Sequence, residues 1–140
     1  MGRILAIDYG KKRCGLAVTD PSRIISTPLE TVRTHELEQY LIQYDKIENI
    51  DEFVIGYPRQ MNNEPSEAVK YIDPFIARLK KVFPGKKINL VDERFSSKSA
   101  FQTMIDGGVK KEKRKDKEMV DRISATIILQ AFMESTNYKT

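Results

Sequence analysis

Apolar positions in this chain come either in short unbroken runs or in stripes at helical spacing. The first run sets the frame. Ile4-Leu5-Ala6-Ile7 leads directly into Asp8, and Gly10 follows. Four apolar residues in a row predict a strand buried on both faces, ended by a glycine turn. After Lys11-Lys12-Arg13, residues 14–19 predict a second strand antiparallel to the first. Residues 24–29 predict a third, on an edge, because Pro28 has no amide to give a ladder. Leu37, Tyr40, Leu41, Tyr44 and Ile47 then recur at helical spacing behind Thr34, a residue suited to an N-cap. Residues 53–56 read as a short buried strand and 57–65, rich in Pro and Asn, as a loop. Ser66 is placed to cap a second helix with Val69, Ile72, Ile76 and Leu79 on one face. Pro74 costs such a helix about 3 kcal/mol, which predicts a kink or restart near Asp73. Pro84-Gly85 ends it. Residues 88–91 predict the next strand, which runs into Asp92-Glu93-Arg94. A third helix, capped by Ser96 or Ser97, carries Ala100, Phe101, Met104 and Ile105 up to Gly107-Gly108. A last helix spans about 118 to 134.

The order is β-β-β-α-β-α-β-α-α. It predicts an α/β fold with a mixed five-stranded sheet: a three-strand antiparallel meander plus two parallel strands, with helices on both faces. Right-handed crossovers place the last two strands parallel to the first. Ligands of such sheets bind beyond the carboxyl ends of the parallel strands. Asp8, the loop at 57–65 and Glu93 all fall at such ends.

With 140 residues, 40% hydrophobic and 31% charged, the chain fits one soluble domain over 1–140. No apolar run approaches the roughly 20 residues of a membrane helix. Asp8 and Lys11 interrupt any secretory core at the N-terminus. Cys14 stands alone, so reducing cytoplasm is the expected location. The net charge of +4 is concentrated in residues 110–117, KKEKRKDK, with six basic and two acidic side chains. This marks a flexible basic loop, 108–117, suited to phosphates. A plain solvated loop reads the same way.

The candidate chemistry is carboxylate chemistry. A buried strand-end aspartate such as Asp8 must be paired, hydrogen-bonded or metal-bound; the bland alternative is an aspartate bonding its own turn. Asp92 and Glu93 are neighbours on a strand end and point to opposite sides, so one of them joins Asp8. The pattern does not choose between them, and an Asp-Glu-Arg surface salt bridge is the plain alternative. Asp121 lies inside the last helix, with small Ser124 and Ala125 on its face. A solvated outer-face aspartate is the rival reading. The single histidine, His35, reads as surface. Carboxylates without nitrogen or sulfur partners suit Mg²⁺ or Mn²⁺ rather than zinc. Two such ions are able to activate water and stabilise a leaving phosphodiester oxygen.

Four motifs carry a resemblance: Ile7-Asp8-Tyr9-Gly10 with Gly15-Leu16-Ala17-Val18; Gly56-Tyr57-Pro58 with Met61; Asp92-Glu93-Arg94-Phe95-Ser96; and Asp121-Arg122-Ile123-Ser124-Ala125. In this order they resemble the YqgF family over nearly the whole chain. Its members are described as Holliday-junction resolvases or as nucleases maturing precursor small-subunit ribosomal RNA. The resemblance implies a ribonuclease-H-like fold, metal-dependent nuclease activity and metal ligation by Asp8, Glu93 and Asp121. Tyr57, Gln60 and Asn62-Asn63 depart from the family's usual Leu, Asn and Asp-Gly in that loop; all three carboxylates are kept.

The expected mechanism is phosphodiester cleavage with Mg²⁺ (or Mn²⁺) held by the three acids. Lys110, Lys111, Lys113, Arg114 and Lys115 would grip the backbone, and Arg59 and Arg94 would touch the phosphate near the metal. The expected partner is nucleic acid, a ribosomal RNA precursor before branched DNA, and the expected state a monomer or weak homodimer with no membrane contact. Two rivals come from other classes. One is an ATP-binding fragment of the actin and sugar-kinase type, which needs a second such domain to enclose its nucleotide. The other is a non-catalytic RNA-binding assembly factor with the same basic loop.

Overall fold

Strand β1 (Arg3–Asp8) is the middle of a five-stranded sheet whose order is β3-β2-β1-β4-β5. The structure, a computed structural model, describes residues 2–20, 22, 25–57, 69–92 and 117–138. Strands β2 (Arg13–Thr19) and β3 (Ser26–Arg33) complete an antiparallel meander with β1. Strands β4 (Ile50–Tyr57) and β5 (Lys87–Asp92) lie parallel to β1 and to each other. The described helices are α1 (Leu37–Glu48), α2 (Val69–Val82) and α3 (Lys117–Tyr138). The meander, the two parallel strands and the mixed sheet are those expected from the sequence.

Alternation along the strands builds three layers. Leu5, Ile7, Leu16, Phe53 and Ile55 face one way, onto Leu37 and Leu41 of α1 and Ile72 and Leu79 of α2. Ile4, Ala6, Ala17 and Val54 face the other way, onto Ala125, Ile128 and Leu129 of α3. The first face is bulky. The second is lined by alanines beside β2's Gly15, which lets α3 approach the sheet closely.

Several local expectations change. The third strand runs Ser26–Arg33 rather than over 24–29. Its register slips between Leu16 and Ala17, whose partners are Glu30 and Pro28, so the proline sits at a bulge on an edge strand. Thr34 is not a helix cap. It opens a 3-10 turn (Thr34–Glu36), and its hydroxyl donates to the Gly10 carbonyl at 2.7 Å. Ile47 is 78% exposed despite its helical spacing, because it lies in α1's last turn beyond the edge of the core. Pro74 does not restart α2: the helix Val69–Val82 runs through it. Packing offsets the lost hydrogen bond, since Ile72 and Leu79 are buried and Phe75 stacks on Tyr9 with centroids 4.5 Å apart. The third helix expected at 96–105 and the basic loop lie outside the described residues.

Candidate active site

The carboxyl end of β1 is where chemistry collects. Even-numbered residues of β1 face α3, as Ile4 and Ala6 show, so Asp8 points to the same side. The Cα partner of Asp8 across the ladder is Gly15. Helix α3 crosses the sheet on that glycine. A methyl group at Gly15 would collide with the carbonyl of Asp121 and stand 2.8 Å from its Cβ. Asp121 is thus set down beside Asp8 by the absence of a side chain on β2. Ser124 and Ala125, one turn further along α3, are buried against the sheet, as the sequence spacing required.

Arg13 opens β2 two residues before Gly15 and so shares its face. Its Nε donates to Asp121 Oδ2 at 2.5 Å. The two side chains keep 35% and 23% of their exposure, so this is a half-buried, charge-assisted pair. Cys14 takes the opposite face. Its buried sulfur donates to the Gly10 carbonyl at 3.9 Å and lies 3.5 Å from Thr34 Oγ1. Burial pushes the thiol pKa up; the contacts with Thr34 and Gly10 oppose this, and the charges of Asp8 and Asp121 add to it. The Gly10–Arg13 turn is fixed further by the Thr34 amide, which donates to the Lys12 carbonyl at 3.0 Å.

Of the acids singled out from sequence, Asp8 and Asp121 are brought to one face at one end of the sheet. Glu93 lies outside the described residues, as do Arg59, Arg94, Lys110, Lys111, Lys113, Arg114 and Lys115. Among the described residues no three His, Cys, Asp or Glu side chains form a metal-binding group. His35 is a surface residue, 74% exposed and 3.7 Å from Glu36. Arg13 and Gly15 were not recognised as site residues from sequence. Counting back in steps of two from Gly15 would have put Arg13 on the Asp8 face; that Asp121 rests on Gly15 has no local signal.

Strand order, strand direction and an acid pair at the carboxyl end of the central strand are those of a ribonuclease-H-like domain of the resolvase type. The fowlpox virus resolvase, solved with its Holliday junction DNA, superposes with a TM-score of 0.58 at 17% identity, covering 96% of this chain and 98% of that one. RuvC of T. thermophilus, also solved with a junction, gives 0.54 at 14% identity, covering 95% and 96%. These two show the fold. The chain itself belongs to the family described as "RuvX: Holliday junction resolvase", whose model matches residues 2–135. A relative from Phocaeicola vulgatus is 51% identical over 138 residues, 99% of each chain. One from Porphyromonas gingivalis is 52% identical over 135 residues, 96% of this chain and 98% of its own. Both carry the name "Putative pre-16S rRNA nuclease". The chain is a nuclease by family, a hydrolase of phosphodiester bonds. Among the described residues no helix is long and apolar enough to cross a membrane.

Proposed function

We propose that this chain is a divalent-metal-dependent nuclease that matures the precursor of 16S ribosomal RNA in the cytoplasm, as a single domain over 1–140. Asp8, Glu93 and Asp121 are its metal ligands. The observation that carries this reading is the meeting of Asp8 and Asp121 across Gly15. The donor set fits Mg²⁺ or Mn²⁺, since both described acids offer hard oxygens. Asp121 already accepts a cationic partner in Arg13, so positive charge is stable at that position. Glu93 is chosen over Asp92 on the resemblance to the family alone.

A bound divalent ion supplies Lewis acidity and a water of lowered pKa. The chain's own groups do the rest. Asp8 and Asp121 fix where that ion sits, Gly15 sets their separation, and Arg13 orients the Asp121 carboxylate. In this reading the basic residues Lys110, Lys111, Lys113, Arg114 and Lys115 hold the backbone, with Arg59 and Arg94 nearer the phosphate. Relatives named for pre-16S rRNA, at half identity over the whole chain, favour the RNA substrate. The second reading is four-way junction cleavage, favoured by the description of the matching family.

The test is cleavage of a precursor 16S transcript and of a synthetic four-way junction, with and without Mg²⁺. Asp8→Asn and Asp121→Asn should each lower metal-dependent cleavage on the order of 100-fold or more. Cleavage that survives Asp8→Asn ends the metal reading. Cleavage of the junction alone moves the substrate to DNA.

A further inference from the structure

A groove of about 550 Å³ runs along the end of the β2–β3 ladder. Lys12, Arg13, Thr31 and Arg33 line one side, and Glu30, Val32 and Tyr40 carry the groove round the β3 edge to the α1 side. The ladder itself makes the feature unusual. Arg13 and Arg33 are direct cross-strand partners, as are Gly15 and Thr31. Cross-strand partners share a face, so both arginines stand on the side that holds Asp8 and Asp121. Arg122 of α3, next to Asp121, reaches Thr31 Oγ1 at 3.4 Å on this same side. Like charges set directly opposite one another destabilise a sheet. Asp121 already offsets the charge of Arg13, and an anion beside Arg33 would offset the other.

The fork of Arg13 is only partly used. Its Nε holds Asp121. Among the described residues its two terminal nitrogens make no hydrogen bond. A guanidinium anchored by one edge keeps the paired donors that suit a phosphate's two oxygens. Two carboxylates share the groove: Glu30 Oε1 accepts the Thr31 amide at 3.2 Å, and Glu36 Oε1 faces His35 at 3.7 Å.

We propose that Arg13 and Arg33, with Lys12, form a phosphate seat for the substrate strand where it passes the Asp8–Asp121 pair. This rests on the nuclease reading above, and it adds residues on β2 and β3 to the basic positions singled out from sequence. Arg13 links the two parts, holding a metal-ligand candidate through Nε and the strand through its terminal nitrogens. The seat reads phosphate and carries no base specificity.

The experiment is binding of a labelled single-stranded RNA from the precursor to the whole chain, by fluorescence anisotropy. Chelator is present so that nothing is cut, and salt is varied about a midpoint of about 100 mM. Arg33→Gln and Lys12→Gln should each weaken binding on the order of tenfold and flatten the log–log salt slope by about 0.7, the loss of one single-strand phosphate contact. Arg13→Lys should keep the slope and lose affinity, because the charge stays and the fork goes. A merely structural role would leave the slope unmoved, and melting curves of the same variants report folding separately. Unchanged affinity and slope in Arg33→Gln, with wild-type binding intact, overturns the seat alone. A wild-type chain that neither binds nor cuts RNA or junction DNA overturns the nuclease reading and the seat together.

Discussion

Replacing Gly15 by Ala tests the geometry of the site more directly than removing a carboxylate. Two effects of opposite sign compete. A glycine in a strand interior costs roughly 0.5–1 kcal/mol relative to alanine, so the substitution should stabilise wherever a methyl fits. At Gly15 it does not fit: the new Cβ runs into the carbonyl of Asp121 and lies 2.8 Å from its Cβ. Overpacking costs about 1–3 kcal/mol where side chains can yield. Here the obstruction is helix backbone held by its own hydrogen bonds, so the upper end of that range applies. The net expectation is a loss of about 2 kcal/mol, or roughly 6–10 °C in Tm for a chain of this size. Urea denaturation followed by circular dichroism measures it. The functional consequence is separate. Relief of the clash must lift α3, and Asp121 moves away from Asp8. A displacement of about 1 Å at a reacting centre can cost on the order of 100-fold in rate. Metal-dependent cleavage should therefore fall well below the folded fraction at a temperature far under the Tm. A Gly15→Ala protein as stable as the parent and fully active would refute the close packing of α3 on β2.

Gly85→Ala should destabilise for the opposite reason: nothing lies within 4 Å of the new methyl, but φ is +90°, and a left-handed conformation costs a side chain about 1–2 kcal/mol. Denaturation midpoints of the two alanine variants then separate a steric cost from a backbone cost. Cys14, fully buried and with its thiol pushed to higher pKa by burial, should resist iodoacetamide in the native protein at neutral pH and react once urea unfolds it. Mass spectrometry of the alkylated chain reads this, and rapid native labelling would contradict the buried position. Glu38 accepts Arg78 Nε at 2.6 Å, and that hydrogen bond lowers its carboxyl pKa. A folded-state pKa below the unfolded value adds stability above the unfolded pKa and loses it as pH falls through the folded one. Glu38→Gln should therefore be less stable than the parent at pH 7, and the gap should close as pH falls below the ordinary carboxylate range. A gap that persists in acid would count against the ion pair.

Apolar runs were the legible part of the sequence. Four consecutive apolar residues before Asp8 leave few options besides a central strand, and β2, β4, β5 and α3 followed from equally local patterns. Reading failed where a distant partner decides. Thr34 has the chemistry of a cap, but the Gly10 carbonyl, brought near by the β1–β2 turn, takes its hydroxyl. Pro74 has the chemistry of a helix breaker, yet buried neighbours on either side hold α2 together. In the site, Asp8 was visible because a carboxylate after an apolar run demands a partner, and Asp121 because it stands inside a helix with small neighbours on its face. Arg13 was not, because a basic residue in a polar turn is ordinary until Asp121 is known to face it.

The parity of β1 and β2 ties the core to the chemistry. Odd positions of β1 and even positions of β2 build the bulky layer under α1 and α2. The other parity carries Asp8 on β1, and Arg13 and Gly15 on β2, on the α3 side. A one-residue slip of either strand would exchange the two sets. It would bury Asp8 among Leu16, Phe53 and Ile55, where an unpaired carboxylate costs several kcal/mol or more. It would also put leucine and isoleucine under α3, where the neighbours are alanine and the helix already touches Gly15. Neither error is tolerable alone, so the forces that pack the core also fix the registration of the acid pair. Asp8 and Asp121 can therefore sit side by side as like charges without a dedicated scaffold. Hydrophobic burial over both faces of the sheet holds them there, and Arg13 reduces the repulsion that remains.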